Sequence, residues 1–171
     1  GKKLFLHFEA IMGKSKIYVN GKLLAEHFGG YLPVVVDVTD ALEFGKENLI
    51  AVWADNSNDP NYPPGKQQEV LDFTYFGGIY RDCWLIAHNQ VFITDPNYEN
   101  EEAGGGLFVA YNNVSDHSAE VLLKIQIRNS RRKAFKGVVE YELQQPDGQQ
   151  VASLNSVIRI KPGKSTYSSD K

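Results

Sequence analysis

Asp72 stands in a run of rings, Leu71-Asp72-Phe73-Thr74-Tyr75-Phe76-Gly77-Gly78-Ile79-Tyr80, with Arg81, Asp82 and Trp84 close behind. An acid beside several aromatic side chains is a pairing suited to sugars. The rings cover the apolar C–H faces of a pyranose, and the carboxylate accepts hydrogen bonds from its hydroxyls. Aromatic strands also fill sandwich cores, so the residues alone leave both readings of Asp72 open. Gly77-Gly78 suggests a bulge or a close backbone approach, and Arg81-Asp82 reads as an architectural pair.

The other candidate constellations carry less chemistry. Asp55-Asn56-Ser57-Asn58-Asp59 clusters hard oxygens as a calcium loop does, but Pro60 stands at the turn glycine and Lys66 at the bidentate glutamate. A solvated Asx-rich loop is the better reading. His7, His27, His88 and His117 are scattered without zinc spacing. The lone cysteine, Cys83, lies in the apolar stretch Cys83-Trp84-Leu85-Ile86 and reads as a small inert hydrophobe with no disulfide partner. Arg131-Arg132-Lys133 reads as a solvated turn tip, and Asn113-Val114-Ser115 is a formal glycosylation sequon too short to carry weight. No catalytic residue, no metal and no cofactor is expected in this chain.

Composition narrows the partners. Eighteen basic against 21 acidic side chains give a net charge of −3, which offers no basic footprint for nucleic acid. No stretch approaches the ~20 apolar residues of a membrane span. The opening residues lack the apolar core of a signal peptide, which leaves the compartment open between cytoplasm and periplasm. Oligomeric state is open as well. At 171 residues the chain is too short for a (β/α)₈ barrel, which needs roughly 200 or more.

Two-residue periodicity dominates, and no segment holds an apolar 3.6 repeat of helical length, so the expected class is all-β. Leu4, Leu6, Phe8 and Ala10 alternate as in a strand. Ile17-Tyr18-Val19 runs into Asn20-Gly21, a strong hairpin signal. Strands are expected again over 33–38, 48–54 and 79–86, with about one helical turn over 39–45 framed by Thr39 and Gly45. Residues 55–71 form a long polar loop, of the kind that is usually functional. A shift follows near residue 88: residues 1–98 carry eight basic and twelve acidic groups, and residues 99–171 carry ten and nine. Five further strands, at 91–94, 107–111, 119–128, 137–144 and 151–160, are separated by turns such as Pro146-Asp147-Gly148, the pattern of a second sandwich.

Five segments in order are together specific: Ile17-Tyr18-Val19-Asn20-Gly21-Lys22, His27-Phe28-Gly29-Gly30-Tyr31-Leu32-Pro33, Asp37-Val38-Thr39, Glu47-Asn48-Leu49-Ile50-Ala51-Val52 and Gly77-Gly78-Ile79-Tyr80-Arg81-Asp82. They resemble the amino-terminal sugar-binding domain of glycoside hydrolase family 2, and the continuation from Val91 resembles that family's immunoglobulin-like second domain. The implied fold is a jelly-roll, galactose-binding-like sandwich over 1–88, then an immunoglobulin-like sandwich over 89–171. The family pattern is cut at both ends: its first strands would precede Gly1, and its closing strands would follow Lys171. The stretch from Asp72 to Gly78 is similar to β-galactosidases and β-glucuronidases, with the overall texture favouring the former.

The resemblance implies that Asp72 reaches a β-galactoside or related carbohydrate as a substrate-binding residue. It also implies that the acid/base and nucleophile glutamates of this retaining family, about 5 Å apart, lie on a catalytic barrel of the same polypeptide. Asn100-Glu101 echoes the dipeptide around the family's acid/base, but without the surrounding Trp-Ser-x-Gly it reads as coincidence. The implied function is a non-catalytic fragment of such an enzyme. A free-standing carbohydrate-binding module, or the same family acting on β-glucuronides or β-mannosides, is the alternative.

Overall fold

A computed structural model describes residues 1–170, and the chain divides into two compact units, Gly1–His88 and Asn89–Lys171. Both are built almost wholly of antiparallel strands, so the chain is an all-β protein.

The first unit holds β1 (Lys3–Phe8), β2 (Ile11–Met12), β3 (Lys14–Val19), β4 (Lys22–Phe28), β5 (Val34–Asp37), β6 (Ile50–Asp55), β7 (Gly78–Ile79) and β8 (Cys83–His88). β1 lies between β5 and β8, β3 lies between β4 and β6, and β2 pairs with β7. Alternation decides the faces. Leu6 and Phe8 from β1, Ile17 and Val19 from β3, and Val34 and Val36 from β5 meet in one core with Ile11 and Val38. Each such side chain contributes about 1.5–3 kcal/mol by leaving water.

Asn20-Gly21 makes the expected β3–β4 hairpin, with φ of 51° and 78° at its two central residues. Asn20 does more than turn the chain. Its Nδ2 donates to the Ala41 carbonyl at 2.9 Å and to Asn48 Oδ1 at 2.8 Å, and its Oδ1 accepts from Leu49 N at 2.9 Å. The turn is thereby fastened to the segment leading into β6.

Two expectations are corrected. Ala41 N and Leu42 N both donate to the Val38 carbonyl, at 3.0 and 3.2 Å, so one helical turn forms at the start of 39–45, but Thr39 is not its cap. The Thr39 Oγ1 accepts from Leu4 N at 2.9 Å and donates to Asp37 Oδ1 at 2.5 Å, tying the segment to β1. Cys83 is exposed, not packed away. Register pairs Cys83, Leu85 and Ala87 with Phe8, Leu6 and Leu4, so their side chains share the core face of the sheet. Leu85 is nevertheless 59% exposed. Cys83 and Ala87 on the same face are exposed too.

The second unit runs β9 (Val91–Ile93), a short helix α1 (Pro96–Glu99), β10 (Leu107–Asn112), β11 (Glu120–Asn129), β12 (Phe135–Gln144), β13 (Gln150–Ile160) and β14 (Lys164–Asp170). β11 is flanked by β10 and β14 and also pairs with β9, while β12 and β13 form a long hairpin. Ile125, Ile127, Tyr141, Ile158 and Ile160 form the core between them. A polar network pins the β9–β10 connection. Thr94 Oγ1 donates to Gln126 Oε1 at 2.5 Å, Gln126 Nε2 donates to Glu101 Oε2 and the Tyr167 hydroxyl at 3.0 Å each, and Gly106 N donates to Thr94 Oγ1 at 3.0 Å.

Candidate functional site

The long polar segment between β6 and β7 is the feature in which the sequence places most of its chemistry, and in the fold it is a tethered loop. At its root Asp55 Oδ1 accepts from Ser57 N at 2.8 Å, and that amide is the main cause that holds the carboxyl below its usual range. Further on, Asp59 accepts from Asn61 N at 2.9 Å and pairs with Lys14 Nζ of β3 at 2.9 Å. The Lys14 hydrogen bond is the leading cause that lowers the Asp59 carboxyl, and its counterpart raises the Lys14 ammonium. Tyr62 lies beside Lys14, 5.7 Å from ring centroid to Nζ, and beside Phe28 of β4, 6.5 Å between centroids.

The far end of the loop is tied in turn. Tyr75 is buried, and its hydroxyl donates to Asn58 Oδ1 at 3.0 Å. The Tyr80 hydroxyl donates to the Gly30 carbonyl at 2.5 Å. Two glycines allow this closeness. A Cβ on Gly13, where φ is +89°, would run into the Asp55 carbonyl, and one on Gly77 would lie 2.7 Å from Asn56 Cγ. Gly77 therefore admits a close approach, here by a side chain.

Asp72 stands between these anchors, two residues past a short 3₁₀ turn, Gln68–Val70. It is exposed, and among the described residues its carboxylate makes no hydrogen bond or ion pair. Phe73 and Phe76, which follow it, are 48% and 74% exposed, so neither ring belongs to the core; of the nearby rings, Tyr75 alone is buried. Beside this stretch Asn56, Ser57, Asn58, Gln68, Glu69 and Tyr75 line an open depression of about 370 Å³. Asp72 is not part of its wall. Sequence reasoning passed over Asn56, Gln68 and Glu69 as solvated loop residues; the signal was Gly77, whose lack of a side chain makes room for Asn56.

The remaining candidates are distributed elsewhere. His27 is half-buried on β4 opposite Ser15 of β3; its Nε2 has no partner among the described residues, and burial pushes its pKa below the usual value. Cys83 lies on the bare face of β8, and burial around its sulfur pushes the thiol up, away from nucleophilic character. Glu101 is engaged by Gln126 and Tyr167 in the second unit.

Residues 1–89 match the family model described as glycosyl hydrolases family 2, sugar binding domain. A β-galactosidase of Thermoanaerobacter pseudethanolicus is 43% identical over 96 residues, 56% of this chain and 13% of that protein. A β-glucuronidase of Formosa agariphila is 32% identical over 167 residues, 95% of this chain and 17% of that protein. The crystal structure of Bacteroides uniformis β-glucuronidase superposes with a TM-score of 0.86 at 29% identity, over 99% of this chain and 19% of that one. The chain thus spans less than a fifth of the length of each of these relatives. With the whole of the first unit inside the matched residues, the chain belongs to glycoside hydrolase family 2, and residues 1–89 are its sugar-binding domain.

Proposed function

We propose that this chain is the sugar-positioning, non-catalytic part of a retaining β-galactosidase, and that Asp72 is its contact with the substrate. One observation carries the reading. The Asp72 carboxylate stands in solvent just ahead of two exposed rings, Phe73 and Phe76, without a partner among the described residues, on a loop anchored at both ends. A carboxylate left unengaged on a fixed support is ready to accept hydrogen bonds from sugar hydroxyls, and charge assistance makes such bonds worth about 1.5–3 kcal/mol.

Cleavage with retention takes two carboxyl groups about 5 Å apart. In this reading both belong to a barrel of the same polypeptide, for which 171 residues leave no room. The division of work is then simple. The barrel breaks the bond, and this part supplies binding and orientation, which lower the barrier by fixing the sugar before reaction. A β-galactoside is supported by the 43% identity to a β-galactosidase. A β-glucuronide is the second reading, supported by the longer alignment to a β-glucuronidase.

The test is Asp72→Asn in the full-length enzyme, assayed on aryl β-galactoside and aryl β-glucuronide. Loss of a charge-assisted hydrogen bond should lower kcat/KM on the true substrate by about 1.5–3 kcal/mol, roughly 10- to 150-fold. An unchanged kcat/KM removes Asp72 from the site, and the preferred glycoside decides between the sugars.

A further inference from the structure

The depression beside Asp72 has no role in the reading above. Its wall brings together three side-chain amides, Asn56, Asn58 and Gln68, with the hydroxyl of Ser57, the carboxylate of Glu69 and the edge of Tyr75. Its volume of about 370 Å³ falls within the span of small-ligand sites. The polar groups are largely unused. The side chains of Asn56, Gln68 and Glu69 make no hydrogen bond or ion pair among the described residues, and of the Asn58 amide only the oxygen is engaged, by Tyr75.

The floor, in contrast, is fixed. The Asp55–Ser57 turn, the Lys14–Asp59 ion pair and the packing of Asn56 against Gly77 hold residues 55–59 in place. A rigid depression presenting spare amide donors and acceptors suits a ligand rich in hydroxyls. It does not suit an anion, because Glu69 is the charged member of the wall and no lysine or arginine lines it. Asp72 follows Glu69 by three residues and precedes Tyr75 by three, which keeps its Cα within about 11 Å of both. A sugar held by Asp72 therefore has the depression within reach of its neighbour in an oligosaccharide.

From this geometry we infer that the depression formed by residues 56–58, 68–69 and Tyr75 is a subsite for the second, uncharged sugar residue of an oligosaccharide substrate. The inference rests on Asp72 holding the terminal sugar. It makes the parent enzyme a glycan-processing one that distinguishes an oligosaccharide from a simple aryl glycoside.

The experiment compares, in the full-length enzyme, kcat/KM on an aryl glycoside and on the disaccharide with the same terminal sugar and an uncharged second residue. For terminal galactose the pair is 4-nitrophenyl β-galactoside and β-galactosyl-(1→4)-glucose. The Asn56→Ala/Gln68→Ala double variant should lower the disaccharide-to-aryl ratio by about tenfold, as expected from losing two neutral hydrogen bonds. A folding defect lowers both rates together and leaves the ratio untouched, so the ratio reads the subsite alone. Glu69→Gln should raise turnover of a disaccharide whose second residue is a uronic acid relative to the uncharged one. An unchanged ratio in the double variant overturns the inference. Asp72→Asn separates this from the parent reading: it should lower both substrates alike, an unchanged rate there overturns the parent reading and the inference with it, and an unchanged ratio in the double variant overturns the subsite alone.

Discussion

Gly13 carries a backbone requirement that its neighbours do not share. Its φ of +89° disfavours any side chain, and the Asp55 carbonyl occupies the space a Cβ would need. Gly21, at φ +78°, has nothing within 4 Å of its ideal Cβ. Gly21→Ala should therefore cost only the left-handed penalty, about 1–2 kcal/mol. Gly13→Ala should cost clearly more, since backbone must also move. Urea midpoints of the two variants measure the difference, and equal midpoints would contradict the close approach. His27 supplies a second test. Burial lowers its folded pKa, so the native state binds the proton less tightly than the unfolded chain. Its contribution is complete above the ordinary histidine value of about 6.5 and is lost as pH falls through the lowered pKa. His27→Gln should flatten the pH dependence of the urea midpoint in that window. Asp37 acts lower. Burial opposes its ionisation, but the hydrogen bonds from Lys3 and Thr39 outweigh it, so its share is lost only as pH falls below the ordinary aspartate range.

Elements explain which parts could be read in advance. The β3–β4 hairpin was legible because a two-residue turn with positive φ at both positions favours asparagine and glycine. The role of Thr39 was misread because whether it caps the turn or bonds to Leu4 depends on β1, which is far away in sequence. Helix α1 escaped because four residues show no period; its signals were only the Asp95 cap, which accepts from Asn97 and Tyr98, and Pro96 at its start. The depression was illegible for the same reason as Thr39: residues 56–58 and 68–69 meet only when the loop folds back. In the second unit, the side chain of the buried Gln126 adds hydrogen bonds to Thr94, Glu101 and Tyr167, which join β11, β14 and the β9–β10 connection beyond what its backbone bonds do. Gln126→Ala strands those partners and should destabilise the chain by about 1–3 kcal/mol. Glu99 bears on the same connection with opposite pH sense. Burial raises its carboxyl despite the 2.7 Å pair with Arg128, so its charged form weighs against folding, and Glu99→Gln should gain relative stability as pH rises above the ordinary glutamate range. An unchanged pH profile in that variant would contradict it.

At the scale of the whole molecule, two small sandwiches leave much apolar surface in water. Leu107, Val109 and Tyr111 of β10 are 55%, 43% and 63% exposed, and the inner side of β8 is bare. Patches of this kind mark surfaces that meet another body. The isolated 171-residue chain is expected to show no turnover of any aryl β-glycoside, in a direct assay against the full-length enzyme as control. Comparable turnover would overturn the reading of it as a non-catalytic part. The bare side of β8 has a practical corollary. The chain has a single sulfhydryl, and it lies on that side, so Cys83 is a built-in gauge of whether a neighbouring segment has closed over the strand. At a pH high enough to ionise its raised thiol, a maleimide should label it faster in the isolated chain than in the longer protein, which turns a gap in the packing into a spectroscopic handle on assembly.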